Sequence, residues 1–132
     1  MAPAAADELC EALQKLVLKF KPFGITGTGV NHFDQKTIYA AVDSNESLLA
    51  LQQSLQSLLV RLNLRTDRPD RKYTPHLTLA FKDLNKVKFK PAFQFLKAQN
   101  ISLEFEASQI VLLQHSGKRW LMARKFSLWS LP

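Results

Sequence analysis

Hydrophobic positions in the first twenty residues recur at helical spacing. Leu9, Leu13, Leu16, Val17 and Phe20 share one face, with Lys15 and Lys19 away from it, which predicts a helix over residues 7–20. Lys21-Pro22 ends it, because the residue before a proline avoids the α region. Residues 23–33 (FGITGTGVNHF) are rich in Gly and Thr and read as an extended, twisted segment, and residues 37–42 (TIYAAV) as a strand. Asp43 followed by Glu46 resembles a capping box for what comes next. There Leu48, Leu51, Leu55, Leu58 and Leu62 repeat at three-four spacing, Leu49 and Leu59 widen the stripe, and Gln and Ser fill the other face. This is a core-packing helix.

A polar loop over residues 63–72 (NLRTDRPDRK) carries four basic side chains and a proline. HLTLAF then alternates as a strand. Residues 83–99 read as a helix with an irregularity at Pro91, and residues 101–107, 109–113 and 120–128 as strands. The last two are joined by a turn signal at His115-Ser116-Gly117-Lys118, the mark of a hairpin. The order of elements predicts an α+β fold, a mainly antiparallel sheet with packed helices. No repeat or linker divides residues 1–132, so one domain is expected.

Composition narrows the class. A chain of 132 residues that is 46% apolar and 22% charged is ordinary for a soluble globular domain able to bury a core. No apolar run approaches the roughly 20 residues that span a bilayer, and MAPAAADELCEALQKL lacks the basic start of a signal peptide. Cys10 is the only cysteine, which excludes an internal disulfide and fits a reducing, cytoplasmic setting. Eighteen Lys and Arg against eleven Asp and Glu give +7, a bias toward polyanionic partners with nucleic acid first among them. Many soluble proteins are basic without such a partner, so charge alone decides nothing.

Candidate chemistry concentrates in PHLTLA, residues 75–80. Strand alternation puts His76, Thr78, Ala80 and Lys82 on one face and Leu77, Leu79 and Phe81 on the other, toward a core. His76 and Thr78 are then about 7 Å apart at their Cα atoms. Both reach one small group from the same side, and a phosphate suits them: imidazole moves a proton near neutral pH and the hydroxyl donates to a non-bridging oxygen. Small Ala80 leaves room above the sheet, and Arg71, Lys72 and Lys82 bring positive charge to it. The bland alternative is a strand-forming Thr beside a solvent-facing His. His32, in VNHFDQ, reads as a turn histidine, and His115 as a solvated one in the hairpin turn. One cysteine and three scattered histidines give no metal-ligand spacing.

RKYTPHLTLAFKDL resembles the second H-x-T motif of the 2H phosphoesterases, the 2′-5′ RNA ligases and RNA 2′,3′-cyclic phosphodiesterases. FKPFGITGTGVNHFDQKTIYAAVDSNESLLALQQSL is similar to the segment between that family's two motifs, and IVLLQHSGKRWLMARKF to its closing hairpin. The resemblance runs over residues 8–128. It implies a bilobal α+β fold with a central cleft, in which each lobe contributes one H-x-T/S strand and two histidines act as general base and general acid across the scissile phosphate. By resemblance, His76 is the acid/base and Thr78 the phosphate ligand of the second motif, with Arg71, Tyr73 and Lys82 as substrate contacts. The implied reaction opens a 2′,3′-cyclic phosphate to a 2′-phosphate, with 2′-5′ ligation as a side activity. No metal or other cofactor is implied. The implied partners are RNA ends or cyclic nucleotides, not a membrane.

The family's first H-x-T lies upstream of the helix that resembles residues 7–20, and these 132 residues hold no counterpart to it. His32 cannot stand in, since it follows that helix and reads H-F-D. Many members also have an arginine soon after the motif, where this chain has Phe81 and Lys82, so Lys82 is the candidate substitute. Three readings account for the missing half, in descending order of expectation. The start is assigned too far downstream and the fold is N-terminally truncated; the gene is a degraded remnant; or a homodimer, formed through an exposed sheet edge, assembles a cleft from two half-sites. The chain alone is expected to be weak or inactive. The alternative function is a non-catalytic RNA- or nucleotide-binding module that keeps the phosphate-facing strand and the +7 charge.

Overall fold

The computed structural model describes residues 3–64 and 72–129, over which the chain is α+β. The elements are α1 (Pro3–Leu16), β1 (Phe23–Thr28), β2 (Val30–Phe33), β3 (Thr37–Ala41), α2 (Glu46–Arg61), β4 (His76–Ala80), α3 (Lys86–Ala98), β5 (Ser102–Ala107), β6 (Gln109–His115) and β7 (Trp120–Ser127). They fall into two compact units. One contains Met1–Phe23, Glu46–Pro69 and Glu106–Pro132; the other contains Gly24–Asn45 and Asp70–Phe105.

In the first unit α1 starts at Pro3, four residues before the expected start at residue 7, because Pro3 suits a first helical turn and Ala4, Ala5 and Ala6 are strong helix formers. It tightens into a 3-10 turn at Val17–Lys19 and stops at Phe20, which is extended ahead of Lys21-Pro22. Leu9, Leu13 and Val17 of this segment pack with Leu51 and Leu58 of α2 and with Phe126 and Leu128 at the end of β7. Cys10 is buried in the same cluster. β6 and β7 form the expected antiparallel hairpin, with Gly117 in the turn at φ +96.

The second unit is built on an antiparallel sheet of order β2-β3-β4, and β1 pairs with β5 in a separate two-stranded sheet. The predicted extended segment of residues 23–33 is two strands broken at Gly29, whose φ of +82 only glycine adopts freely. Gly29 also stitches distant segments: its N–H donates to the Ile101 carbonyl and its carbonyl accepts from Ala41 N–H. α3 is capped by Asn85, whose side chain accepts from Lys88 N–H at 2.9 Å. Pro91 sits inside α3, which continues past it to Ala98.

The capping-box expectation for Asp43 fails. α2 begins at Glu46, so Asn45 occupies the cap position, and the Asp43 carboxylate instead accepts from the Thr26 hydroxyl at 2.8 Å. Asp43 N–H also donates to the Thr26 carbonyl. A contact seventeen residues back along the chain has taken the side chain that local spacing assigned to the helix.

Candidate active site on strand β4

β4 is an edge strand of the β2-β3-β4 sheet, and Pro75 at its entrance suits that place because it has no N–H to donate. Register pairs Ala41 with His76, Ala40 with Leu77, Tyr39 with Thr78 and Ile38 with Ala80. His76, Thr78, Tyr39 and Ala41 therefore share one face, as alternation predicted for the His and Thr. Between Ile38 and Tyr39 the register shifts: one step along β3 matches two along β4, so Leu79 is an extra residue. The bulge sends Ala80 to the opposite face, opposite fully buried Ile38, so it does not line the space over His76 and Thr78 as expected. Lys82 is off the strand altogether, in the turn that follows, with its Nζ 5.7 Å from the Phe81 ring centroid.

The other half of the alternation reading also needs correcting. Leu77, Leu79 and Phe81 do not enter a core; they are 45%, 43% and 52% exposed. The buried apolar residues of this sheet come from the central strand β3, as Ile38, Tyr39 and Ala40. An edge strand has neighbours on one side only, so its apolar side chains lose half of the cover a central strand provides.

His76 is held by three contacts. Its Nδ1 lies 2.7 Å from the Thr74 carbonyl oxygen. A carbonyl can only accept, so Nδ1 is the donor of this contact. The ring also meets Phe33 of β2 edge-on at 4.9 Å between centroids and Tyr39 of β3 at 5.3 Å. Phe33 and Tyr39 are themselves stacked at 4.4 Å. The imidazole thus sits on an aromatic pair, exposed to solvent, with its Nδ1 on the Thr74 carbonyl. The sequence reading missed Phe33, Tyr39 and the Thr74 carbonyl. Phe33 and Tyr39 lie more than thirty residues from His76, and only the β2-β3-β4 register brings them to it.

Tyr73, three residues before His76, is 41% exposed, and the partial cover of its ring raises its phenol above the ordinary value of 10. Arg71 lies outside the described residues. His32 is on β2, opposite Ile38, and so on the face away from His76. It is a strand histidine, not a turn one, with its Nδ1 on the Asp34 carbonyl and its ring edge-on to Phe89 and Phe93 of α3. His115 is also a strand histidine, the last residue of β6 opposite Trp120 and not part of the turn itself; it is exposed, its Nδ1 accepts from Gly117 N–H and its ring meets Trp120 edge-on.

An open groove of about 770 Å³ lies elsewhere, between α1 and α2 of the first unit. Glu8, Glu11, Lys15 and Lys19 line it from the N-terminal helical segment and Arg61 from α2, it is lined by no histidine, and mixed charge of this kind gives no phosphate preference. Among the described residues no three His, Cys, Asp or Glu side chains converge to hold a metal ion.

The sequence model of the 2′-5′ RNA ligase superfamily matches residues 1–119. The chain belongs to that superfamily. No curated protein sequence matches it significantly. Solved structures with a similar fold include LigT of E. coli complexed with 3′-AMP, at a TM-score of 0.60 and 16% identity, over 92% of this chain and 69% of that one. TT0787 of Thermus thermophilus matches at a TM-score of 0.56 and 19% identity, over 98% of this chain and 73% of that one. At such identities the likeness concerns the fold. Of the three histidines only His76 is followed two residues later by a hydroxyl side chain, that of Thr78. No described helix is long and apolar enough to cross a membrane.

Proposed function

We propose that β4 is one wall of an RNA-end phosphodiesterase site, in which His76 transfers a proton and Thr78 binds the phosphoryl group of a 2′,3′-cyclic phosphate. The observation that carries this reading is the contact of Nδ1 with the Thr74 carbonyl, made by a histidine that shares its strand face with Thr78. In the reaction, water attacks phosphorus, the bond to the 3′-oxygen breaks, and a 2′-phosphate remains. One imidazole removes the proton from the water and another protonates the departing 3′-oxygen; a neutral His76 serves the first role and its doubly protonated form the second. The Thr78 hydroxyl donates to a non-bridging oxygen, and Tyr73, Arg71 and Lys82 are the proposed substrate contacts. The 3′-AMP complexed with the structurally similar LigT supports a nucleotide monophosphate as ligand class. Buried, unpaired Cys10 supports a cytoplasmic setting.

Acid and base act on opposite sides of the phosphorus, so His76 needs a second imidazole. A segment joined to this chain, or the His76 of a second copy, would supply it. The 132 residues alone are therefore weak or inactive in hydrolysis while still binding the phosphate. The test has two readouts. Titration with adenosine 2′-monophosphate should move the His76 imidazole resonances, and Thr78→Val should weaken that response. Where a joined segment or a second copy supplies the second imidazole, hydrolysis of a 2′,3′-cyclic nucleotide should fall about 10²- to 10⁴-fold in His76→Ala, and turnover per chain should rise with concentration if the second copy is the partner. Hydrolysis unchanged in His76→Ala removes His76 from the mechanism. Salt-dependent RNA binding indifferent to His76 and Thr78, with no turnover, supports the non-catalytic binding module instead.

A further inference from the structure

The β6–β7 hairpin carries an outer face that the reaction chemistry does not use. Register pairs His115 with Trp120, Leu113 with Met122 and Val111 with Lys125, and a shift between Leu112 and Leu113 keeps these six on one side. The inner side holds Ile110, Leu112 and Phe126, which pack on or within the helix core. Trp120 is 65% exposed, Met122 57% and Leu113 50%, in a row along one hairpin. A contiguous apolar patch of this kind marks an interaction site.

Charge says what kind. From Ala107 to Pro132 the sequence contains no acidic residue, while Lys118 and Arg119 lie in the turn, Lys125 on the outer side, and Arg124, the register partner of Leu112, on the inner side over the Phe126 ring. These four contribute more than half of the net +7. The His115 ring, edge-on to Trp120 at 4.9 Å, holds the indole at the hairpin tip beside the two cations of the turn. An exposed aromatic face with cations around it and no carboxylate is the composition of a platform for single-stranded nucleic acid, where bases stack on the ring and phosphates meet Lys and Arg.

We propose that the outer face of the β6–β7 hairpin binds single-stranded RNA, with a base stacked on Trp120 and neighbouring phosphates on Lys118 and Arg119. The choice of RNA among polyanions rests on the functional reading above, but the hairpin readout does not involve His76, so the two proposals fail separately.

The full chain with Trp129→Phe leaves Trp120 as the one fluorescent indole. Adding a short oligouridylate should quench it, and binding should weaken as salt rises. Trp120→Ala should weaken binding, followed by anisotropy of labelled oligouridylate, roughly ten-fold or more. Lys118→Gln with Arg119→Gln should lower the slope of log K against log salt by about 0.7 for each cation removed. Both substitutions are at exposed positions, and unchanged circular dichroism confirms that the fold is retained. Oligouridylate binding that is the same in all variants overturns the proposal. So does quenching of Trp120 by anionic phospholipid vesicles but not by oligouridylate, or a concentration-dependent dimer that Trp120→Ala abolishes.

Discussion

Gly27 tests the packing beneath the candidate site most sharply. A Cβ there would lie 1.9 Å from the Ala41 carbonyl oxygen, 3.0 Å from its carbon and 3.1 Å from Leu103 Cγ. Ordinary contact starts near 3.4 Å, so β1 and the end of β3 would have to separate by about 1.5 Å, and carbonyl oxygen cannot rotate away as a side chain can. Two backbone bonds hold these segments together, Asp43 N–H to the Thr26 carbonyl at 2.8 Å and Ala41 N–H to the Gly29 carbonyl at 3.1 Å. The separation takes both beyond bonding range. Losing them costs about 1 kcal/mol each, and overpacking adds about 1–3 kcal/mol. The stiffer unfolded chain of an alanine variant offsets about 0.4–1 kcal/mol. Gly27→Ala should therefore destabilise the protein by about 3 kcal/mol, a large share of the roughly 5–15 kcal/mol typical of a domain. In urea unfolding followed by circular dichroism, that is a fall in midpoint of roughly 1.5 M. Ala41 is the register partner of His76, so the His76 resonances should shift in the same variant. Gly24→Ala is the control, because nothing lies within 4 Å of its added Cβ; its stability should stay within about 0.5 kcal/mol of the parent. If Gly27→Ala is as stable as Gly24→Ala, the close approach of β1 to β3 is wrong.

Asn85→Ala removes the acceptor for Lys88 N–H and should cost about 0.5–2 kcal/mol, seen as a lower urea midpoint, while Asn85→Asp restores most of it. Tyr73 keeps its proton more tightly when folded, so its contribution to stability is complete below the unfolded value near 10 and is lost as pH rises through the higher folded one. A spectrophotometric titration should contain a phenol ionising above 10 that disappears in Tyr73→Phe; its persistence would assign the raised group elsewhere.

Much of the fold could be read along the chain because the signals are local. The leucine repeat of α2, the turn at Gly117 and the alternation of HLTLA each involve residues a few positions apart, and backbone geometry converts such spacing directly into a face. The Asp43 side chain shows where this stops: spacing offered it to α2, but Thr26 lies within hydrogen-bond reach only after β1 has folded alongside the end of β3. Nor could the sequence show that β4 is an edge strand or that Leu79 bulges, and these two facts leave Leu77, Leu79 and Phe81 exposed and turn Ala80 away from the site.

The pair itself followed from the sequence: a period of two residues puts His76 and Thr78 on one face of any strand that contains both. The surroundings of His76 were decided by tertiary structure. Its ring is seated on Phe33 and Tyr39, and those residues reach it through strand pairing between segments more than thirty residues apart. Alternation depends on the covalent chain alone, whereas register depends on which strands meet and where a bulge falls, and the whole folded sheet chooses that.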